Sequence, residues 1–448
     1  MTAAPAPVRI ASPRVLDRGR RVLTRALEAI DGHAVASIVA GLCVLGLLSW
    51  YVAWHVPTSN WLFTSNYAIG FKDFTSRIQN VDSVRHLGVL YYSQIDTTQY
   101  FVYPPAALWI FWPLTWVGIF TGELLWTLAS LLALAWLIAS VARFACRWRW
   151  QKAWAVALLV ATPLSALVLQ PVGVHLALGQ IGLFLAAAAT FDILCVRNRC
   201  RGFLTGVTAA LKLYPIVYFA IFALRREWRA LGNAIAGLVV TTAVAWVVFP
   251  SYSATYFFHR LLGGDELRHY WGNAHWLSSS SSVYTFFFRQ PFSGSLLERD
   301  AGLVLCAAVL AFGVFAAWRQ LEERREAGAL LCVALASTIG SPVAWDHYFF
   351  WVVLVPFVLV ERGRLEWYRT AVLWLFLLAC LVPFRLARNE SLSHRGYGGT
   401  FIVIFISRNA LIAVSLLWLV VAAIPATRRR WAQSSAATTE SHQLRSAG

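Results

Sequence analysis

The sequence predicts an all-α protein that crosses a membrane many times. Of its 448 residues, 59% are hydrophobic and 13% are charged, a balance far from that of a water-soluble domain. Apolar runs of about 18 or more residues recur from Val35 onward, and each is long enough to cross a hydrocarbon core of about 30 Å as a helix. The net charge of +17 is carried by arginines in tails and short loops between those runs, which is the positive-inside pattern of a polytopic membrane protein. No nucleic-acid module accompanies it. Anionic lipid headgroups are a second reading of the same basic surface.

Twelve candidate spans follow: 35–54, 104–120, 122–143, 153–170, 175–195, 203–224, 231–250, 301–318, 327–341, 345–361, 367–387 and 401–424. They divide the chain into a basic tail 1–34, a transmembrane domain 35–424 and a polar tail 425–448 that is expected to be disordered. Arginines from Arg9 to Arg25 precede the first span and Arg428 to Arg430 follow the last, so both termini are expected in the cytoplasm. Two long intervals, 55–103 and 251–300, then face outward. One conflict remains in this count, because the basic loops "RFACRWRWQK" and "RNRCRG" land outside in a simple zigzag. It is relieved if parts of 104–143 and 203–224 are short re-entrant helices, which membrane proteins tolerate when protein surrounds them.

The first 30 residues lack a short apolar core with a small-residue cleavage site, so no removable signal peptide is expected. The seven cysteines show no CxxC spacing, which argues against both a disulfide framework and a zinc site. No internal repeat stands out, so an inverted-repeat transporter gains no support.

Residues 66–92 read "NYAIGFKDFTSRIQNVDSVRHLGVLYY". Phe71, Phe74, Ile78, Val81, Val84, Leu87 and Tyr91 recur at three- and four-residue spacing, with Lys72, Asp73, Arg77, Asn80 and Ser83 between them. This spacing predicts an amphipathic helix along the outer interface, its apolar side in lipid or on the bundle. Asp73 falls in its first turn, either as a chemical group near the membrane surface or as a charge answering the helix dipole.

Ionisable residues inside apolar runs are costly, about 2.5–3.5 kcal/mol at the bilayer centre on insertion scales, and so mark candidate sites. Lys212 lies in "TAALKLYPIVYF", followed by the helix-breaking Pro215; snorkelling to an interface is its plainer reading. Asp346 and His347 open a run in "STIGSPVAWDHYFF" after Pro342, as site residues or as a helix cap. The weakest signal is "HLALGQIGLF", with His175, Gly179 and Gln180, where Gln180 also reads as a helix-packing hydrogen bond. "FVYPPAALWIFWPL" fits the start of a span.

Together these pieces resemble glycosyltransferase family 87, a set of polytopic GT-C-type enzymes that includes polyprenol-phosphate-mannose-dependent mannosyltransferases. The marks are Asp73 in "KDF", the "LYY...F.YPP" pattern from Leu90 to Pro105, Gly179–Gln180, "ALKLYP" at Ala210–Pro215 and "SPVAWDH" at Ser341–His347. The resemblance implies a GT-C fold in a bacterial inner membrane. A polyprenyl-phosphate sugar donor would enter from the lipid bilayer and a glycolipid or glycan acceptor from the outer aqueous side. It implies Asp73 as catalytic base. Two departures are visible: "NAHWLSSSSSVYTFFFR" stands where an Asn-Gln-Ser element is frequent, and Tyr348 where a second histidine is common.

Sugar transfer from a polyprenyl phosphate needs a base for the incoming hydroxyl and cationic stabilisation of the departing phosphate. One carboxylate suffices for inversion, with the base opposite the leaving group. Lys212 and His347 are the expected phosphate partners, since a desolvated cation stabilises leaving-group charge most where water is excluded. Tyr103, Gln180, Trp345, Asp346 and Arg268 are expected to line the substrates, with Arg260 as a further helper. These residues require no cofactor, with a divalent metal as the alternative. Asp265, Glu266, His269 and His275 have ligand chemistry, but their spacing matches no zinc or EF-hand motif. The rival reading is a transporter or flippase of lipid-linked sugars, in which Lys212 and Asp346 line a path through the membrane. A non-catalytic scaffold is the third.

Overall fold

The structure, a computed structural model, describes residues 24–55, 71–88, 90, 101–262, 282–284, 296–361, 365–381 and 400–425. Among these residues the secondary structure is helical, with one isolated bridge between Leu169 and Leu381. The longer helices are α1 (Ala34–His55), α2 (Lys72–Leu87), α3 (Ile119–Ala145), α4 (Trp150–Val168), α5 (Gln170–Leu178), α6 (Gly182–Leu194) and α7 (Phe203–Leu211). They continue as α8 (Tyr214–Leu224), α9 (Trp228–Val248), α10 (Leu296–Glu322), α11 (Glu326–Ile339), α12 (Asp346–Val360), α13 (Trp367–Ala379) and α14 (Thr400–Ala423).

Five of these are long and apolar enough to cross a membrane, namely α1, α3, α4, α9 and the Asp300–Glu322 part of α10. The pair α5 and α6, bent by 118°, makes a sixth if counted as one span. Helices α8, α11, α12 and α13 and the Asn409–Ala423 part of α14 are shorter, so the twelve full spans expected from the sequence are not met among the described residues.

Two expected spans take a different form. The run 104–120 breaks into three short helices, Pro105–Ala107, Leu108–Phe111 and Trp112–Trp116, before α3 begins. Prolines at 104, 105 and 113 prevent one continuous helix there. The run 203–224 is a hairpin: α7 ends at Lys212, whose backbone is extended, and α8 leads back. Gly202 at one end of this hairpin touches Ala230, and Arg225 at the other bonds Ile193 O at 3.2 Å, so the chain enters and leaves at the same end of the bundle.

That geometry removes the conflict over the basic loops. Helix α3 runs parallel to α6, with Trp126 against Phe184 at 4.9 Å and Trp136 against Phe191 at 5.3 Å, and their last residues meet where Cys195 approaches Ser140 O. Trp150, at the start of α4, also packs on Phe191. The loops carrying Arg147, Arg149, Arg197, Arg199, Arg225 and Arg324 therefore gather at one end of the bundle, called the arginine end below.

The hairpin is fixed from below. Asp192 near the end of α6 accepts hydrogen bonds from Gly202 N at 2.9 Å, Thr205 N at 2.8 Å and Thr205 Oγ1 at 2.8 Å, which caps α7 in trans. A Cβ on Gly206 would sit 2.0 Å from Ala234 O and one on Gly237 2.3 Å from Phe203 O, so small residues let α7 and α9 approach to backbone contact. Lys212 is thereby carried into the bundle on a rigid stem.

Candidate functional site

The site lies at the opposite end of α6 and α7 from the arginine loops. Helix α2 begins there at Phe71, held at φ 47°, whose N–H donates to Ala177 O of α5 at 2.9 Å. Helix α5 stops at Gly179 with φ +68°, where a Cβ would lie 2.4 Å from Phe74 Cβ. Glycine serves both needs, the left-handed turn and the close approach. The next residue, Gln180, is thus set against the first turn of α2, and its Nε2 donates to Asp73 Oδ2.

Tyr103 completes this junction by donating from its hydroxyl to Gln180 Oε1 at 3.2 Å. Its ring lies parallel to Phe111 at 6.0 Å, and the preceding Phe101 carbonyl is held by buried Arg260 Nη1 at 3.2 Å. Burial pushes the Tyr103 hydroxyl up to about 12, with Arg77 opposing that shift and Asp73 adding to it. Tyr103 therefore acts as a neutral donor at ordinary pH.

Two cations share the Tyr103 ring. Lys212 Nζ lies 5.1 Å from its centroid and Arg77 Cζ 5.3 Å. Lys212 also sits 4.8 Å from the Tyr348 ring and 5.8 Å from that of Tyr214, and donates to Tyr348 Oη at 3.4 Å. Cation–π contacts are worth about 2 kcal/mol each when desolvated. They hold the ammonium in place without neutralising it, and Asp73 acts on it electrostatically.

His347 follows on α12, buried, with its ring 4.6 Å from Tyr348 and its Nε2 lacking a hydrogen-bond partner among the described residues. Trp345 occupies the position before α12, and Asp346 in the first turn acts on Cys380 at the end of α13. Arg268, with Asp265, Glu266, His269 and His275, lies outside the described residues. Among the described residues no three His, Cys, Asp or Glu gather where they would hold a metal ion.

The arrangement supplies a carboxylate oriented by an amide, a half-buried ammonium boxed by tyrosine rings, and an imidazole nitrogen beside them. The sequence pattern of glycosyltransferase family 87 matches residues 101–342, more than half of the chain. The chain belongs to glycosyltransferase family 87.

Among curated relatives, a polyprenol-phosphate-mannose-dependent alpha-(1-2)-phosphatidylinositol mannoside mannosyltransferase of Mycobacterium tuberculosis is 30% identical over 376 residues, 80% of each chain. Its namesake in Mycolicibacterium smegmatis is 29% identical over 312 residues, 63% of this chain and 67% of the relative. A polyprenol-phosphate-mannose-dependent alpha-(1-2)-phosphatidylinositol pentamannoside mannosyltransferase of M. tuberculosis is 26% identical over 342 residues, 73% of this chain and 75% of the relative. No solved structure matches. Membership makes the chain a glycosyltransferase, and its apolar helices make it a membrane protein.

In this family-87 chain, four of the candidates read from the sequence converge: Asp73, Gln180, Tyr103 and Lys212. His347 joins them through Tyr348. Arg77 was not singled out by sequence reasoning, nor was Tyr214. The signal for Arg77 is its i+4 spacing from Asp73, which puts both on one face of α2. That face is not turned to water: Asp73, Ser76, Arg77, Asn80 and Ser83 are all buried, along with Phe71, Phe74 and Val81. Of the two settings expected for the apolar side of this helix, lipid or the bundle, Phe71, Phe74 and Val81 take the bundle, and the polar side is covered by protein as well.

Proposed function

We propose that this enzyme transfers a mannosyl residue from a polyprenyl-phosphate donor to a hydroxyl of a glycolipid acceptor at the Asp73–Lys212 cluster. The observation that carries the reading is the junction itself, in which one glutamine side chain joins the candidate base to the tyrosine that lies against the candidate phosphate cation. The mannosyltransferase names of the relatives, which cover 63% to 80% of the chain, support the donor and the acceptor class.

In the proposed mechanism Asp73 accepts the proton of the incoming hydroxyl as its oxygen attacks the anomeric carbon. The carbon–oxygen bond to the phosphate breaks with inversion, and the phosphate keeps the electron pair. Lys212 and the unpartnered Nε2 of His347 receive the developing phosphate charge in a site shielded from water. Gln180 orients the carboxylate, and Tyr103 orients Gln180. Trp345, Asp346 and Arg268 stay candidates for substrate contacts. Gathering the arginine loops at one end supports a cytoplasmic location for that end and both termini, with the site facing outward.

Purified full-length protein, given polyprenyl-phosphate mannose and phosphatidylinositol mannosides, is expected to yield an acceptor heavier by one hexose in mass spectrometry. Movement of intact donor across vesicles without any glycosylated product would support the transporter reading instead.

A further inference from the structure

His175 lies outside the mechanism above, yet it is fully buried and touches both halves of the site. Its Nδ1 approaches the backbone carbonyl of His347 at 3.4 Å, on α12. Its Nε2 is met by the Leu183 N–H at 3.2 Å, at the start of α6, and faces Gln180 O at 3.1 Å. The His175 carbonyl also takes the Gln180 N–H at 3.2 Å.

These contacts discriminate between the possible forms of the ring. A proton on Nδ1 lets the ring donate to His347 O and accept from Leu183, two contacts met against one lone pair left facing Gln180 O. A proton on Nε2 satisfies Gln180 O alone and sets lone pair against lone pair at His347 O and donor against donor at Leu183. An imidazolium loses the Leu183 bond, and the charged group acting on it is another cation, Lys212. A buried cation so placed is costly. The slot is cut for the ring: a Cβ on Gly182 would lie 2.7 Å from His175 Cε1, and Phe350 closes the other side at 5.1 Å between ring centroids.

We infer that His175, as the neutral Nδ1–H imidazole, is a positioning residue that staples the Gln180 turn to the start of α12. On one side of the staple Gln180 holds Asp73. On the other, the residue after His347 is Tyr348, whose hydroxyl meets Lys212. The imidazole thus sets the spacing between the group that takes the hydroxyl proton and the cation facing the leaving phosphate. Misplacement of reacting groups by about 1 Å costs on the order of 10²-fold in rate.

The kinetic half of the test rests on the proposed transfer activity, whereas the spectroscopic half does not. In the full-length enzyme, His175→Leu is expected to lower kcat about a hundredfold with little change in the KM for donor. His175→Asn, which keeps a donor near the Nδ1 position, is expected to regain part of that loss. Equal kcat in His175→Leu and wild type, or equal loss in both variants, would overturn the inference. Nitrogen-15 NMR of histidine-labelled wild type, with the His175 signals assigned by their loss in His175→Asn, is expected to show a neutral ring protonated at Nδ1 at neutral pH. A proton on Nε2, or an imidazolium, would overturn it even if the chain transferred no mannose or the leucine variant failed to fold.

Discussion

The two ends of the bundle treat charge in opposite ways. At the arginine end the buried arginines are paired. Arg369, fully buried, bonds both oxygens of Glu323 at 2.6 and 3.0 Å and the Val421 carbonyl at 3.1 Å. Arg201 bonds Glu227 at 2.9 Å, Arg225 bonds Glu326, and Glu361 caps α11 through the N–H groups of Glu326 at 2.7 Å and Ala327 at 2.9 Å. At the other end, Asp73 is held by an amide and Lys212 by three aromatic rings. The thirteen residues of α6 separate the two regions by about 20 Å. Paired charges close the fold, while at the site neutral groups hold Asp73 and Lys212, which act on each other electrostatically.

Substitutions can break that contrast, and the largest effect is expected at Asp73. Asp73→Asn removes the proposed base but keeps the shape, so kcat should fall about 10²–10⁴-fold while the melting temperature stays near that of wild type. Steady-state transfer assays and thermal unfolding in detergent check the two halves. Next in size is Arg369→Leu, which takes the closest ion-pair partner from Glu323, itself 12% exposed, and leaves it Arg325 at 3.8 Å. A loss of about 3–5 kcal/mol in stability is expected, read as a lower melting temperature, with transfer per folded molecule unchanged.

Lys212→Met comes third. Removing a cation aimed at developing charge costs about 10²-fold in similar settings, and the loss should fall on transfer more than on stability. A variant that unfolded but transferred normally while intact would move Lys212 into the structural class with Arg369. The smallest effect belongs to Glu227→Gln, whose carboxylate is 31% exposed. It should cost about 1 kcal/mol or less, with kcat unchanged.

Much of this contrast is legible in the sequence. Lys212 stands out because a lysine within an apolar run is costly, and Asp73 because it is an isolated carboxylate after the first long run. Family resemblance, not periodicity, names their chemistry. Arg77 escapes because α2 reads as a surface helix, and spacing alone cannot tell a polar face turned to water from one turned into protein. The run 104–120 is misread because its apolar length outweighs its prolines, and that single miscount separates two arginine loops from the end of the bundle where the structure gathers them. His175 is nearly silent in sequence. Its role depends on which carbonyl and which N–H meet the ring, and the two carbonyl partners come from residues 5 and 172 positions away.

The position of a bound donor tests the account most directly. A cryo-EM structure of the full-length enzyme with a non-transferable polyprenyl-phosphate mannose analogue should place the phosphate against Lys212 Nζ and His347 Nε2, with the anomeric carbon facing Asp73. A phosphate seated among the arginine loops, or a sugar with Asp73 on the same side as the phosphate, would contradict it.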